Sequence, residues 1–379
     1  MQQHEPVAVE QRTTPVELLW DLVFVFAVTQ VTTLLYHELT WTGFGRGMLV
    51  LALVWWAWSA FVWVTNAHDP DSAPVRAVLF AGMMCTFIVA LSLPHAFGDD
   101  AVTFAVAYAG VRGLHLGLYA DASRRGSASW ASIAGFAVTV AVGMGLLVAG
   151  AIAGGMAQTW LWVLAAVIDY AGPAWLTRER LRGIQRVAVA HFAERYSLFI
   201  IICLGESVVS IGVAAAEHDL TGELIGTVAL ASLITIGMWW AYFDRVAGVA
   251  EHRLAAHEEP VLAAADAYSY LHLLLVAGII VSAIGLKTAV GHPSDALADG
   301  ARLALAGGVA LYLLGHAAFA LRLLGEAQRP KAVAAIACAA LYLVTGDAPA
   351  WLAIALLAGV LALLGAAEGR LAVVSPEPG

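Results

Sequence analysis

The stretch from Glu194 to Gly212 reads ERYSLFIIICLGESVVSIG and is apolar enough to span a bilayer. It nevertheless begins with Glu194 and Arg195, and it carries Glu206 near its middle. A charge at the centre of a spanning helix costs about 2.5–3.5 kcal/mol, so such residues are kept mainly where they meet a partner, an ion or a water-filled cavity. The stretch therefore predicts a membrane protein with a polar interior, and we expect the function to lie in that interior.

The composition gives the same class. Of the 379 residues, 61% are hydrophobic and 12% charged, with a mean hydropathy of +0.81, whereas soluble domains carry about 25% charged residues. The net charge of −9 is scattered over short loops, and no basic, aromatic-rich segment indicates nucleic acid as a partner. Cys85, Cys203 and Cys338 lie far apart in apolar segments, which predicts buried apolar roles rather than disulfides or metal ligands. We expect no metal and no other cofactor.

A window of about 20 residues, the length that crosses a bilayer as a helix, finds about twelve apolar segments. Their approximate limits are 16–36, 47–66, 75–97, 101–121, 130–152, 157–177, 191–215, 222–244, 261–288, 300–322, 331–346 and 349–367. The last two are short, which leaves ten or eleven spans as alternatives. The pattern predicts an all-α fold, a polytopic transmembrane helical bundle. Its predicted parts are a cytoplasmic N-terminal segment (1–15), a first six-helix half (16–177), a basic cytoplasmic linker (178–190), a second six-helix half (191–367) and a disordered C-terminal tail (368–379).

The basic residues of the loops predict the orientation, because cytoplasmic loops carry an excess of Lys and Arg. With the N-terminus inside, most of the 19 basic residues fall in cytoplasmic loops. The opposite face receives Arg46, Lys287 and Arg302, and Arg112 and Arg195 lie within spans. We therefore predict a multi-pass protein of the cell (plasma or inner) membrane, surrounded by lipid, with both termini in the cytoplasm.

The two halves of the chain resemble each other. WWAW at 55–58 in the second span is matched by WWAY at 239–242 in the eighth, and His115 by His316. Six spans return the chain to its starting side, so the repeats would be parallel and related by an axis along the membrane normal. Chance similarity between apolar helices is the alternative to this 6+6 repeat.

Three blocks of sequence carry a family resemblance. Residues 14–30 read TPVELLWDLVFVFAVTQ and resemble the opening signature of the bacterial low temperature requirement A (LtrA) family. HFAERY at 191–196, running into LGES at 204–207, resembles the second block of that family, and DAYSYLHL at 266–273, followed by VAGI at 276–279, resembles the third. The resemblance implies an integral membrane protein linked to growth in the cold, a stress response, and it implies no particular biochemical activity.

Two places in the sequence bear on helix bends. The chain departs from the family pattern at Leu19, Ser197 and Leu274, and Leu274 stands where the family has a proline, so the ninth span need not kink. Asp169 lies four residues before Pro173, whose missing N–H frees the Asp169 carbonyl. A carboxylate beside such a kink is a candidate for a hinge or an ion site, and an ordinary kink is the alternative.

Two acidic residues stand at the start of the first span. Thr14-Pro15-Val16-Glu17 fits a capping box, in which the Glu17 carboxylate accepts a hydrogen bond from the Thr14 amide. Asp21 lies one turn deeper on the same face, about 6 Å further in, and no basic residue of its own helix reaches it. We assign Glu17 a structural role and Asp21 an ion- or substrate-binding role, with a buried structural hydrogen bond as the alternative for Asp21.

The fourth span carries a polar stripe of Tyr108, Arg112, His115 and Tyr119, which share one helix face. Arg112 cannot lose its proton, so we expect it to face carboxylates. The arginine would either tie helices together or act as a counter-charge for which a substrate anion or a passing cation competes. His115 is a binding candidate beside it.

The seventh span has charges at two depths. Glu194 and Arg195 are adjacent and so point in different directions, and we expect each to pair with another helix in a structural role. Glu206 lies about 18 Å deeper along the helix and directly follows Gly205, which allows close approach of another backbone. Glu206 is therefore a candidate ion site.

The ninth span carries Asp266 and His272 on different faces, since Asp266 shares a face with Tyr270 and His272 with Tyr268. Both are binding candidates. A lone histidine in a helix more often serves packing, and the same alternative holds for His316.

The charges within the spans do not balance. The acids are Asp21, Asp169, Glu194, Glu206 and Asp266, and the bases are Arg112 and Arg195. Even with both arginines paired, about three carboxylates would lack a fixed counter-charge and would have to be protonated, hydrated or bound to cations. No nucleophile elbow, phosphate loop or His-Glu-x-x-His motif is present, so we expect no enzyme.

These observations predict a proton- or cation-coupled secondary transporter that moves a small solute with H⁺, Na⁺ or K⁺. Its expected midplane site comprises Asp21, Arg112, His115, Glu206 and His272. The alternatives are a cation channel and a non-transporting membrane scaffold or stress sensor, in which the polar interior only specifies helix packing.

Overall fold

Long helices form nearly the whole chain in the computed structural model, which describes residues 13–66, 68, 70–125, 130–176, 188–244 and 246–374. The helices of the first half are α1 Pro15–His37, α2 Trp41–Thr65, α3 Ala73–Ser92, α4 Ala101–Arg124, α5 Trp130–Ala153 and α6 Gly155–Ala171. A 3₁₀ turn, Leu93–His95, extends α3, and a π turn, Gly172–Leu176, follows α6. Those of the second half are α7 Val189–Ala216, α8 Gly222–Phe243, the short α9 Ala247–Ala255, α10 Pro260–Gly291, α11 Asp299–Leu324, α12 Arg329–Val344 and α13 Ala350–Val374.

Ten of these helices are long and apolar enough to cross a membrane. The other two long helices, α6 and α12, have 17 and 16 residues. The described residues contain no β-strand, only a single bridge between Ala296 and Pro349. The predicted all-α polytopic bundle is therefore confirmed.

Capping residues define several helix ends. The Glu17 carboxylate accepts a hydrogen bond from the Thr14 amide at 3.0 Å, as the sequence predicts. Thr40 caps α2 by accepting from the Gly43 amide at 3.0 Å. At the other end of the chain, α11 stops at Gly325, whose φ of +72° is readily adopted only by glycine.

The same helix pairs pack in each half. The first helix packs on the second and third, the second on the fourth and sixth, and the third to sixth pack in succession. The second half has the same contacts when its helices are numbered first to sixth in the order α7, α8, α10, α11, α12 and α13. Contacts of α1 with α7 and α10 join the halves. The two halves therefore share one order of helix contacts, and the parallel sense of the repeat stays a prediction.

The last helix extends further than the sequence indicates. The tail 368–379 is predicted to be disordered, but α13 continues to Val374. A buried ion pair holds the first residue of this segment, because Lys331 Nζ on α12 lies 3.0 Å from Glu368 Oε1 on α13. The predictions for residues 1–12, for most of the basic linker (177–187) and for 375–379 lie outside the described residues.

The α10–α11 contact depends on glycine at the crossing point. A Cβ atom on Gly308 would overlap the backbone of Ser282, whereas one on the neighbouring Gly307 would only touch Leu303 of its own helix. We expect Gly308→Ala to destabilise the protein by about 1–3 kcal/mol because the helices must separate, and Gly307→Ala to have little effect. Unfolding in mixed SDS micelles measures the difference, and equal stability of the two variants would contradict this packing.

Candidate functional site

Arg195 is the centre of a buried ion-pair network between α1 and α7. Its Nη1 donates to Glu17 Oε1 at 2.8 Å. Its Nη2 donates to Asp21 Oδ1 at 2.6 Å, and its Nε donates to Asp21 Oδ2 at 3.2 Å. All three side chains are almost completely buried. The contact between Arg195 and Asp21 is bidentate, the geometry in which arginine binds carboxylates most strongly.

Residues of α2 and α7 complete this network. Trp58 Nε1 donates to Asp21 Oδ1 at 2.8 Å. His191 Nε2 lies 3.1 Å from Glu17 Oε2, and His191 Nδ1 lies 3.4 Å from Asn66 Oδ1. Asp21 is thus engaged by an arginine and an indole, which favours the structural alternative for this residue. The network ties the starts of α1 and α7 to the end of α2.

Glu194 points away from this network. Its Oε2 accepts hydrogen bonds from the amide and hydroxyl of Thr13, at 3.1 and 2.8 Å, and the side chain is exposed. Glu194 therefore binds the segment that precedes α1, through hydrogen bonds and not through an ion pair.

A second buried ion pair joins α4 to α6. Arg112 Nη2 donates to Asp169 Oδ1 at 2.7 Å, and both residues are almost completely buried. The partner expected for Arg112 is therefore Asp169. His115 is buried nearby, among the rings of Tyr119 and Phe136 at 4.9 and 5.4 Å.

Asp266 on α10 pairs with Arg322 on α11, whose Nη2 and Nε lie 2.7 and 2.9 Å from Asp266 Oδ2. Arg322 is not among the basic residues that the sequence places within spans, so the count of charges there includes no partner for Asp266. The arginine stands two residues before the end of α11, and its side chain reaches back to α10.

A π-helical segment of α10, Ala265–Leu271, supplies hydrogen bonds to the first half. The carbonyl of Ser269 accepts from Trp55 Nε1 at 2.7 Å, and its hydroxyl accepts from Trp63 Nε1 at 2.8 Å and lies 3.1 Å from Tyr196 Oη. The wide turn leaves carbonyls free, and such segments occur frequently at functional sites. It forms here without a proline, and it joins α2, α7 and α10.

His272 follows this segment directly. Its Nδ1 lies 3.0 Å from the Ala267 carbonyl and its Nε2 lies 2.9 Å from Tyr242 Oη. Both ring nitrogens therefore have protein partners, and the ring is fully buried. This environment favours the packing alternative.

Glu206 lies between α1 and α7, deeper than the Arg195 network. Thr29 Oγ1 lies 2.6 Å from Glu206 Oε2, and Ser210 Oγ lies 3.2 Å from Glu206 Oε1. The positive charge of Lys287 on α10 acts on Glu206, but its Nζ lies 4.2 Å from the Tyr36 ring centre and forms no ion pair with the carboxylate. Among the described residues, no basic group lies within ion-pair distance of this carboxylate.

No hydrogen bond or ion pair within the described part of the chain links Asp21, Arg112, His115, Glu206 and His272 to one another. Arg112 and His115 contact the same ring, that of Phe136. The single midplane site stays a prediction. The expected surplus of about three carboxylates is too large, because Asp21, Asp169 and Asp266 each have an arginine and Glu194 is exposed. Glu206 is the one buried carboxylate of the five that keeps no ion pair.

Comparison with known proteins now identifies the family. The model of the bacterial low temperature requirement A protein (LtrA) matches residues 12–366. The chain belongs to the LtrA family. An uncharacterized protein of Rhizobium meliloti (strain 1021) is 31% identical over 306 residues, which cover 79% of this chain and 75% of that protein. No solved structure matches the chain.

The description of the family names no biochemical activity. Together with the ten long apolar helices, membership of the family indicates a multi-pass membrane protein. Several residues of the site escape sequence reasoning, namely Thr29, Trp58, Ser269 and Arg322. Thr29 and Trp58 do carry a signal, since each is a hydrogen-bonding side chain inside an apolar span. Their partners lie on other helices, and no sequence spacing predicts those pairings.

Proposed function

We propose that this LtrA-family protein is a proton- or cation-coupled secondary transporter in which Glu206 takes up the coupling ion. The observation that carries the proposal is the buried Glu206 carboxylate with hydroxyl partners and no ion pair. An intramembrane acid of this kind is characteristic of proton relays and ion paths. The proposed role is that of a carrier, not of an enzyme.

The contacts of Thr29 support an exchangeable proton at Glu206. The Thr29 hydroxyl has one hydrogen, but its oxygen lies within hydrogen-bond distance of both Glu206 Oε2 (2.6 Å) and the Val25 carbonyl (3.1 Å). When Glu206 is protonated, it donates to Thr29 and Thr29 donates to Val25. When Glu206 is ionised, Thr29 turns its hydrogen to the carboxylate. The site therefore has a hydrogen-bond arrangement for each protonation state.

A small cation suits the same oxygens. Sodium prefers hard oxygen ligands, as calcium and magnesium do, and Glu206, Thr29 and Ser210 present a carboxylate and two hydroxyls. The coupling ion is thus H⁺ or an alkali cation that displaces it.

The direction of access follows from the predicted orientation. The Arg195 network lies near the start of α1 and α7, which we place at the cytoplasmic face, and its three charged side chains are paired and buried there. Glu206 lies about 16 Å further along α7 than Arg195. Lys287, whose charge acts on Glu206, is partly exposed and is assigned to the opposite face. We propose that this conformation admits ions from outside and is closed toward the cytoplasm.

A non-transporting scaffold is the second candidate function. It is favoured by the pairing of the other interior charges, Asp21, Asp169 and Asp266, each of which holds two helices together. A channel would use the same Glu206 path without coupling to a solute.

Liposomes that contain the purified protein and an internal pH dye distinguish these functions. Potassium, sodium and a panel of small metabolites are added outside one at a time. The transporter is supported by proton movement that depends on a solute, and a channel by ion movement that needs no solute. If the folded protein moves no ion and no solute, transport is ruled out and the scaffold is favoured.

A further inference from the structure

A lysine near the end of α10 that we assign to the outer face lies over an aromatic ring. Lys287 Nζ is 4.2 Å from the ring centre of Tyr36 on α1, and the lysine side chain is partly exposed. Within the described part of the chain Lys287 forms no ion pair and no hydrogen bond. A cation over a ring at an exposed site is held less strongly than one in a charge-assisted hydrogen bond. The ammonium group is therefore available to an anion that reaches it.

A polar stripe of α1 connects this lysine to Glu206. Thr29, Thr33 and Tyr36 share one face of the helix, at spacings of four and three residues. Thr29 Oγ1 lies 2.6 Å from Glu206 Oε2, and Thr33 Oγ1 donates to the Thr29 carbonyl at 3.1 Å. Tyr36 lies about 10 Å beyond Thr29 along the helix, and both Thr33 and Tyr36 are partly exposed. The stripe thus runs from the carboxylate to the ring over which the ammonium lies.

The titratable groups around Glu206 lie on α7 and α10. The charge of Lys287 acts on Glu206, and Glu206 acts in turn on the thiol of Cys203, one turn earlier on α7. The side chain that α1 places beside Glu206 is the neutral Thr29. The acid of α8, Glu223, lies in the first turn of that helix and hydrogen-bonds the loop after α10. Lys287 is therefore the positive charge that responds to a change of charge at Glu206.

Charge balance couples these two groups. When Glu206 is ionised, its carboxylate and the Lys287 ammonium carry opposite charges, which cancel. When a proton or an alkali cation binds Glu206, the pair keeps one positive charge, and such a charge is costly where the dielectric constant is low. An anion at Lys287 restores neutrality. Ion and anion should therefore bind together, each raising the affinity of the other by the same factor.

We propose, building on the transport function proposed above, that the co-transported solute is a small monocarboxylate whose anion binds the Lys287 ammonium beside Tyr36. Because the ammonium lies over the Tyr36 ring, an apolar group attached to the carboxylate meets the same aromatic surface. One monovalent anion and one monovalent cation leave the loaded site with the net charge of the empty one. A dicarboxylate would add a negative charge, and a cationic solute would add a positive one.

Calorimetric titration of the purified full chain with butyrate tests the proposal. Infrared spectra give the pH at which Glu206 is protonated or ionised. We expect the wild type to bind butyrate about tenfold more tightly with Glu206 protonated, or ionised in saturating sodium or potassium, than with Glu206 ionised and no alkali cation present. Glu206→Gln, whose amide is always neutral, should bind tightly under all these conditions. Butyramide has nearly the same shape but no charge, and it should bind about tenfold more weakly than butyrate.

Lys287→Gln removes the ammonium group and should lower butyrate affinity about tenfold. Arg46→Gln is the matched control, because Arg46 is another basic residue assigned to the outer face and also lies over a ring, 4.9 Å from the Phe97 ring centre. This control should bind butyrate like the wild type. If Lys287→Gln does not fold, the comparison of butyrate with butyramide on the wild type decides the outcome.

The proposal is overturned if butyramide binds the wild type as tightly as butyrate, if Lys287→Gln binds like Arg46→Gln, or if chloride displaces butyrate at equal concentration. A wild-type affinity that depends on neither pH nor alkali cations also overturns it. Infrared spectra separate this failure from that of the transport mechanism. A Glu206 carboxyl band that responds to pH or cations while butyrate does not bind contradicts the solute assignment alone. Identical spectra of the wild type and Glu206→Gln under all conditions contradict both.

Discussion

Glu206→Gln is expected to lower solute-dependent proton movement by about tenfold or more, which corresponds to about 1.4 kcal/mol in the barrier. The amide has almost the shape of the carboxyl group and still pairs with Thr29 and Ser210, but it cannot bind or release a proton at neutral pH. Because these hydrogen bonds persist, stability should change by no more than about 1.5 kcal/mol. Flux in liposomes and unfolding in SDS micelles measure the two effects.

Glu217→Gln is the matched control, because this glutamate follows the end of the same helix and is exposed. It should transport like the wild type. A second variant, Thr29→Val, removes the 2.6 Å hydrogen bond while Glu206 remains and should reduce flux in part. Wild-type flux in Glu206→Gln would contradict the assignment of the ion site, whereas loss of both flux and folding would favour a packing role for Glu206.

Arg195→Met is expected to give the largest loss of stability, about 3–5 kcal/mol, because it leaves Glu17 and Asp21 as buried charges without their partner. The reason is the cost of an unpaired charge rather than the strength of the bonds that are lost. The triple variant Glu17→Gln, Asp21→Asn, Arg195→Met removes all three charges and should recover most of that stability. Thermal and SDS unfolding of the purified variants measure the differences.

Arg125→Met serves as the control for this series. Arg125 also forms an ion pair, at 2.8 Å with Asp121, but on the surface, where such pairs contribute about 1 kcal/mol or less. If Arg195→Met is no less stable than Arg125→Met, or if the triple variant is as unstable as the single one, the Arg195 network does not hold α1 and α7 together in the way described.

The bundle itself follows from the sequence because helix length and apolar composition are local properties. The sequence therefore predicts the long helices, and the capping role of Glu17 needs only the four residues of its own turn. The π-helical segment at Ala265–Leu271 could not be predicted, since no proline marks it and its free carbonyls are used by Trp55 and His272, which belong to other turns and helices.

The pairing of the charges could not be predicted, because it depends on which helices pack together. Arg195 binds two acids of α1, and Arg322 reaches Asp266 from the end of α11. Charge counting within single spans misses both facts and so overestimates the number of unpaired carboxylates. The depth of Glu206 in its helix makes it a candidate ion site from the sequence. The structure adds a stronger reason, because no arginine, lysine or histidine of the described residues forms an ion pair with it.

The protonation of Glu206 is the most direct test of the proposed mechanism. Infrared difference spectra of the protein in lipid, recorded between acidic and alkaline pH and with or without sodium or potassium, report the carboxyl group itself. We expect a band of a protonated carboxylic acid that disappears as pH rises or as the coupling cation is added, and that is absent from Glu206→Gln. If the spectrum of Glu206→Gln matches that of the wild type under all these conditions, Glu206 exchanges no ion and the transport mechanism proposed for this LtrA-family protein is wrong.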